Sequence, residues 1–268
     1  VEKIPTDIYQ CIDNELYNDK KNQWWHDDSP LFVLWCSFNP TRINYLRKTL
    51  HKENSIDPQG KIALDIGCGG GFLSEELARM GFSVTGIDPS VQSIQTAINH
   101  SLANGLQIEY LLGTGEALPC PDSSIDFVFC CDVLEHVRDL PKVISEISRV
   151  LKPGGIFFWD TINRTFLSKL IAINILQDWK LWAVAPTNLH VWEMFIKPRE
   201  LRSLLEVNNL AWRDHIGLMP NIAFPAVLGY LRKKVKGELS FKEFGQKVWM
   251  VESKITNIMY MGVAIKQP

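Results

Sequence analysis

A chain of 268 residues with 46% hydrophobic and 22% charged residues carries enough apolar material for one sizeable α/β core, which excludes a wholly disordered protein. A formal net charge of −2 excludes a dedicated nucleic-acid binder, whose affinity would come from clustered Lys and Arg on phosphates. The six cysteines (Cys11, Cys36, Cys68, Cys120, Cys130 and Cys131) show no C-x-x-C pair and no metal-type spacing, a usage that suits a reducing cytoplasmic or organellar-matrix compartment.

Along the chain, the N-terminus lacks a signal peptide's charged-then-apolar pattern, and no run reaches the eighteen or so apolar residues of a membrane span. The chain starts at Val1 without an initiator Met, which is compatible with a targeting segment removed ahead of it. Residues 1–55 read as an N-terminal helical extension and 56–268 as one catalytic domain, with lid insertions at about 162–195 and 219–250. From Ile62, β-rich runs (Ile62–Ile66, Ser83–Ile87, Ile108–Leu112, Phe127–Cys131, Gly155–Asp160) alternate with helical segments near 71–80, 90–104 and 139–151. That alternation predicts a doubly wound α/β fold around a mostly parallel, seven-stranded sheet, finished by the late runs Ala211–Leu218 and Ile258–Ile265. After Thr161 and before these late runs lie a Trp-rich helical stretch at 166–183, a loop with Pro186, and a helix from Pro198 to Asn208. Trp179, Trp182 and the apolar residues 171–176 suit a hydrophobic acceptor tunnel, a dip into a bilayer surface, or an ordinary lid helix. Arg232, Lys233, Lys234 and Lys236 follow an apolar stretch and read as a solvated face or as a contact with acidic lipid headgroups.

The most informative segment is Leu64-Asp65-Ile66-Gly67-Cys68-Gly69-Gly70-Gly71-Phe72, in which a buried strand enters a glycine turn and then a helix. Such a turn brings backbone N–H groups against a ligand at the carboxyl edge of the sheet. Phe72 stands where a dinucleotide fingerprint needs its third glycine, which counts against a nicotinamide-dependent oxidoreductase. Asp88, at the end of the next strand, is placed to accept hydrogen bonds from both hydroxyls of a ribose. These residues, with Thr114-Gly115-Glu116-Ala117-Leu118-Pro119, Asp126-Phe127-Val128 and Leu151-Lys152-Pro153-Gly154-Gly155, resemble the ordered motifs of class I S-adenosylmethionine-dependent methyltransferases.

After the fourth strand come Asp132, Glu135 and His136, at a spacing that puts all three on one face of a helical turn. Two readings stand for that face: a divalent cation such as Mg²⁺, or a helix cap paired with Arg138. His136 is a candidate ligand or base beside the acceptor oxygen, supported by Glu135 and Asp132, and His190 is a second candidate base.

Trp24-Trp25 with the acids after it, Phe38-Asn39-Pro40-Thr41-Arg42, Thr161-Ile162-Asn163-Arg164-Thr165, His190 and Phe195-Ile196-Lys197-Pro198 add a closer resemblance, over about residues 20–218, to the O-methyltransferases of ubiquinone biosynthesis. The resemblance implies methylation of a polyprenylated catechol, a lipophilic acceptor, with Arg42, Gly67, Gly69, Asp88, Gly115, Glu116 and the backbone of Cys131 at the cofactor. It also implies a cation held by Asp132, Glu135 and His136. Departures from the family pattern cluster on the acceptor side: His26 for an acid or amide, Asp160 for a Ser, Asn188-Leu189-His190 for Gly-Thr-His, and a longer segment from Met219 to Val251. They leave open another small acceptor methylated at carbon, nitrogen or a different hydroxyl. A catalytically silent nucleoside-binding module is the alternative of a different class.

Overall fold

Ile62–Ile66 (β1), Ser83–Asp88 (β2), Glu109–Leu112 (β3), Ile125–Cys131 (β4) and Leu151–Ile162 (β5) form the parallel part of one sheet in a computed structural model that describes residues 14–18, 24–53, 55–185 and 188–268. Period-2 alternation sorts their side chains. Leu64, Ile66, Val128, Cys130, Phe157 and Trp159 face one layer, where helices Leu140–Val150 and Pro198–Val207 pack. Ala63, Phe127, Phe129, Ile156 and Phe158 face the other, under helices Asn39–Lys52 and Phe72–Arg79. Both faces are thus covered, as a parallel sheet requires.

The helices begin where local chemistry starts them. Ser90 and Asp139 accept hydrogen bonds from the backbone N–H groups of Ser93 and Lys142 at two N-termini, and Pro stands in the first turn of three others. Gly154, at φ +79°, supplies the reversal expected between helix Leu140–Val150 and the extended part of β5.

The sheet has eight strands rather than the expected seven, in the order β3-β2-β1-β4-β5-β8-β6-β7. Leu210–Pro220 (β6) and Met259–Lys266 (β8) complete it antiparallel, as the late runs predict. The additional strand, Met250–Ser253 (β7), is a four-residue, half-buried edge strand paired with Gly217–Pro220 inside the expected insertion. Phe166–Ser168 is capped by Thr165 and continues as a π-helix over Lys169–Asp178, wider than the helix expected there. A second π segment spans Leu34–Phe38.

The 219–250 stretch holds helices Phe224–Val235 and Phe241–Lys247. Of the basic run, Lys234 pairs with Asp28 and lies over the Phe241 ring, so it is a packing residue, while Lys236 meets Glu238. The five described cysteines are free thiols, whereas Cys11, Pro186 and most of the 1–23 stretch lie outside the described residues. Among the described residues, no helix is long and apolar enough to cross a membrane.

Ile147, fully buried in helix Leu140–Val150, tests how rigidly this face is packed. Ile147→Ala is expected to cost about 2–5 kcal/mol. Urea unfolding would read this as a lower midpoint with an unchanged slope.

Candidate active site

β1 enters the glycine turn with Gly67 at φ +70°, Gly69 at +52° and Gly71 at +86°. These are left-handed conformations that side chains resist, and the turn is closed on both sides. A Cβ on Gly67 would lie 2.2 Å from Val133, and one on Gly69 or Gly70 would lie 2.3 Å from the Trp24 ring. Trp24 is itself fixed, because its indole N–H donates to Ser93 Oγ at 3.0 Å, and the Trp25 indole donates to the Gly70 carbonyl at 2.8 Å.

Asp88 accepts from Gly69 N–H at 2.9 Å and from Ser90 N–H at 2.8 Å. Burial pushes its carboxyl up to about 6 against those two hydrogen bonds. The bonds aim it into the cavity, where remaining lone pairs can meet a diol. Gly113, Thr114, Gly115 and Glu116 continue that wall. Glu116 also accepts from the N–H groups of Arg138 and Asp139, and so ties the loop to the start of helix Leu140–Val150.

Arg42 comes from helix Asn39–Lys52 and is buried. Its Nε donates to Asp160 Oδ2 at 2.6 Å, its Nη2 to Asp160 Oδ1 at 3.0 Å and also to Asp132, and its Nη1 to Asn39 Oδ1 at 3.2 Å. The backbone N–H of Asp132 donates to Asp160 Oδ1 at 3.0 Å, and Asp132 stands at φ +54°.

That local geometry corrects the expected one-face arrangement. Residues 132–136 form a turn, not a helix, and the left-handed Asp132 sends its carboxylate to Arg42. Glu135 turns instead to β5, where its Oε2 accepts from Thr161 Oγ1 at 2.8 Å. Among the described residues, no three His, Cys, Asp or Glu side chains are grouped so as to hold an ion. The cation set implied by the resemblance is therefore incomplete here: Asp132 is committed to Arg42, although Glu135 Oε1 and His136 Nδ1 are buried without a hydrogen-bond partner.

Burial, then Asp132, pushes the Glu135 carboxyl up to about 8. Burial, then the neighbouring His190, pushes the His136 imidazole down to about 3. The two rings are 5.2 Å apart, and both are neutral near pH 7. A neutral imidazole with an unpartnered nitrogen can accept a proton.

All of this borders one cavity of about 770 Å³. Arg42, Gly67, Asp88, Gly115, Glu116, Cys131, Asp132, His136 and His190 line it, whereas Gly69 and Glu135 stand just behind the wall. Beyond His136 the lining turns apolar, with Ile171, Ile175 and Leu176 from the π-helix Lys169–Asp178 and Val227, Leu231 and Phe244 from the 219–250 helices. One further residue has no pattern to betray it in the sequence: Tyr17, which reaches the cavity from the N-terminal segment. Asp65, in the segment that leads into the glycine turn, is buried under the turn and accepts from Ser74 Oγ at 2.6 Å.

Residues 64–159 match the methyltransferase domain family. A ubiquinone biosynthesis O-methyltransferase of Methylobacterium nodulans is 38% identical over 204 residues, which are 74% of this chain and 81% of that protein. One from Pelagibacter ubique is 36% identical over 213 residues, 78% of this chain and 87% of its own. The chain belongs to the ubiquinone biosynthesis O-methyltransferase family. It is an S-adenosylmethionine-dependent methyltransferase, and neither the oxidoreductase nor the silent nucleoside-binding reading survives that membership. Solved structures agree at the level of fold. A methyltransferase from Aquifex aeolicus aligns over 99% of this chain and 100% of its own at TM-score 0.54 and 16% identity. Magnesium protoporphyrin IX methyltransferase from Synechocystis, with bound S-adenosylhomocysteine, aligns over 84% and 82% at TM-score 0.54 and 19% identity. Asp88, the start of the glycine turn at Gly67 and the buried guanidinium of Arg42 all border the same cavity.

The buried imidazoles carry a pH signature. Burial pushes His190 down to about 4 from 6.5, against the opposing pull of Asp132. Between those values the unfolded chain binds a proton that the native state does not, so stability is lost as pH falls through the window. In His190→Gln that contribution is gone. The drop in Tm between about pH 7 and about pH 5 is expected to be smaller than in the parent, and an equal drop would contradict a buried neutral imidazole.

Proposed function

We propose that this methyltransferase methylates a phenolic hydroxyl of a catechol-type quinone precursor that carries a polyprenyl tail. One observation carries the reading: a single cavity runs from the Asp88 and glycine-turn end, past His136, into an apolar stretch between the π-helix Lys169–Asp178 and the helices of 219–250. A polar ring with a long hydrocarbon tail matches that sequence of surfaces. The names of the relatives support the same acceptor class.

The bound cofactor supplies an activated methyl on a sulfonium. The work of this chain is then alignment and proton removal. Asp88, Arg42 and the 113–116 loop would hold the nucleoside and amino-acid ends, and such alignment is worth about 7–11 kcal/mol of barrier. A phenol near pKa 10 must lose its proton as its oxygen bonds to the methyl carbon and the C–S bond breaks. In this reading His136 takes the proton at its unpartnered Nδ1, and the neutral His190 beside it keeps a second acceptor within the cavity. A divalent cation is a second reading, favoured by the two buried, unpartnered donors on adjacent residues, Glu135 Oε1 and His136 Nδ1.

Labelled methyl transfer to a panel of catechols and phenols with and without prenyl tails tests the acceptor. Prenylated catechols are expected to give the highest kcat/KM, and no transfer to any phenol would refute the reading. His136→Asn is expected to lower kcat by about 10²–10⁴-fold with S-adenosylhomocysteine binding intact. Activity retained in chelator supports the imidazole as base, while loss restored by Mg²⁺ supports the cation.

A membrane contact belongs to the same proposal. Phe166, Leu167, Leu170, Trp179 and Leu181 expose large apolar side chains along the insertion, and Lys169 and Lys180 lie among them. Leu176 and Trp182 of that insertion pack against Val227 and Leu231, which puts the cavity's apolar wall directly beneath this surface. Co-sedimentation with liposomes is expected for the parent and reduced in Trp179→Asp/Leu181→Asp. Equal binding by both would place the contact elsewhere.

A further inference from the structure

Asn14–Asn18 is a short turn of 3-10 helix lying over the carboxyl edge of the sheet. Its backbone is pinned on the cofactor side, since the Tyr17 carbonyl accepts from Ser90 Oγ at 2.9 Å, and Ser90 is the residue whose N–H Asp88 orients. On the acceptor side, Asn14 Nδ2 donates to the His136 carbonyl at 3.3 Å. The Tyr17 ring is held between two neighbours: it stacks on Trp24 (centroids 6.0 Å, planes 14° apart) and meets His136 edge-on (6.4 Å, 79°). Trp24 cannot drift, because it sits on Gly69 and Gly70 and donates to Ser93.

Tyr17 therefore borders the cavity between Asp88 and His136. Burial, then the carboxyls of Asp132, Asp88 and Glu135, keeps its hydroxyl protonated. The imidazoles nearest to it are neutral, and the guanidinium of Arg42 is engaged by Asp132 and Asp160. An aromatic ring in a pocket short of free positive charge is an environment that attracts a cation. In the cofactor, the sulfonium lies between the ribose, which Asp88 suits, and the methyl group, which must face the acceptor at His136.

We propose that Tyr17 reads the sulfonium charge, packing its ring on the S–CH₃ end so that the site prefers charged S-adenosylmethionine to its neutral product S-adenosylhomocysteine. The inference rests on the cofactor assignment and not on the choice of acceptor. Tyr17 thereby positions the methyl group, and its grip weakens once transfer removes the charge, which favours product release. Nothing in the ring's role needs the hydroxyl to ionise.

Calorimetric titration of the full chain with S-adenosylmethionine and, separately, with S-adenosylhomocysteine tests this without any acceptor present. Tyr17→Leu is expected to narrow the ratio of the two affinities by about 2- to 30-fold, the range of a ring–cation contact, while Tyr17→Phe keeps the parent's ratio. Tyr17→Met, which fills similar space without a π face, repeats the test if the Leu variant melts early. Equal weakening for both ligands in the Leu and Met variants would mean that Tyr17 is only a roof, and would overturn the proposal. So would an unchanged ratio with unchanged affinities.

Discussion

Everything at the carboxyl edge of this sheet depends on one buried cation held between a buried and a half-buried carboxylate. Arg42, Asp132 and Asp160 come from an N-terminal helix, the end of β4 and the end of β5, and the guanidinium joins all three. Removing Arg42 would leave both carboxylates without their cation, Asp160 among them in the interior, which costs several kcal/mol. Burial alone would weaken the Arg42 cation, but Asp132 and Asp160 overcome it and hold the group charged, while Asp160 is pushed up to about 6 by burial despite Arg42. Asp160 also receives the backbone N–H of Asp132, so the same triad holds the left-handed turn that presents Glu135 and His136.

Around that triad, burial rather than pairing decides the charge state of the chemistry. Glu135, at about 8, is largely protonated near neutrality, and His136 and His190 are unprotonated. The stretch of wall at His136 and His190, with Glu135 behind it, is thus nearly uncharged even though it is built from ionisable residues. The imidazoles carry no second proton, although the burial that keeps them neutral also lowers their basicity, and an uncharged wall does not repel an apolar ring entering from the tunnel. The carboxylates of Asp132 and Asp160 turn instead to Arg42.

Much of this was legible in the sequence, and the failures have physical causes. The five parallel strands announce themselves as short apolar runs because they are buried on both faces. The Gly67–Gly71 turn and Asp88 are legible because backbone geometry and ribose recognition demand those residue types. Met250–Ser253 is not, because a short edge strand half in solvent carries no strong alternation. Spacing alone predicts a helical face at 132–136, but the backbone there is set by Asp160, a partner 28 positions away that no local spacing encodes. Tyr17 is hidden for the same reason: Ser90 and Ser93, which fix its backbone, lie more than seventy residues along the chain.

Asp160 stands where the resemblance leads one to expect Ser, and it changes the arithmetic at Arg42. A guanidinium has five N–H donors. Here Asp160 takes two, Asp132 one and Asn39 one, which leaves a single N–H for any carboxylate that enters the cavity. With Ser in place of Asp160, at least one more would be open. An entering carboxylate therefore meets either a one-handed Arg42 or one from which Asp132 has withdrawn. Asp132 is the member that can yield, since it is 21% exposed while Asp160 is fully buried.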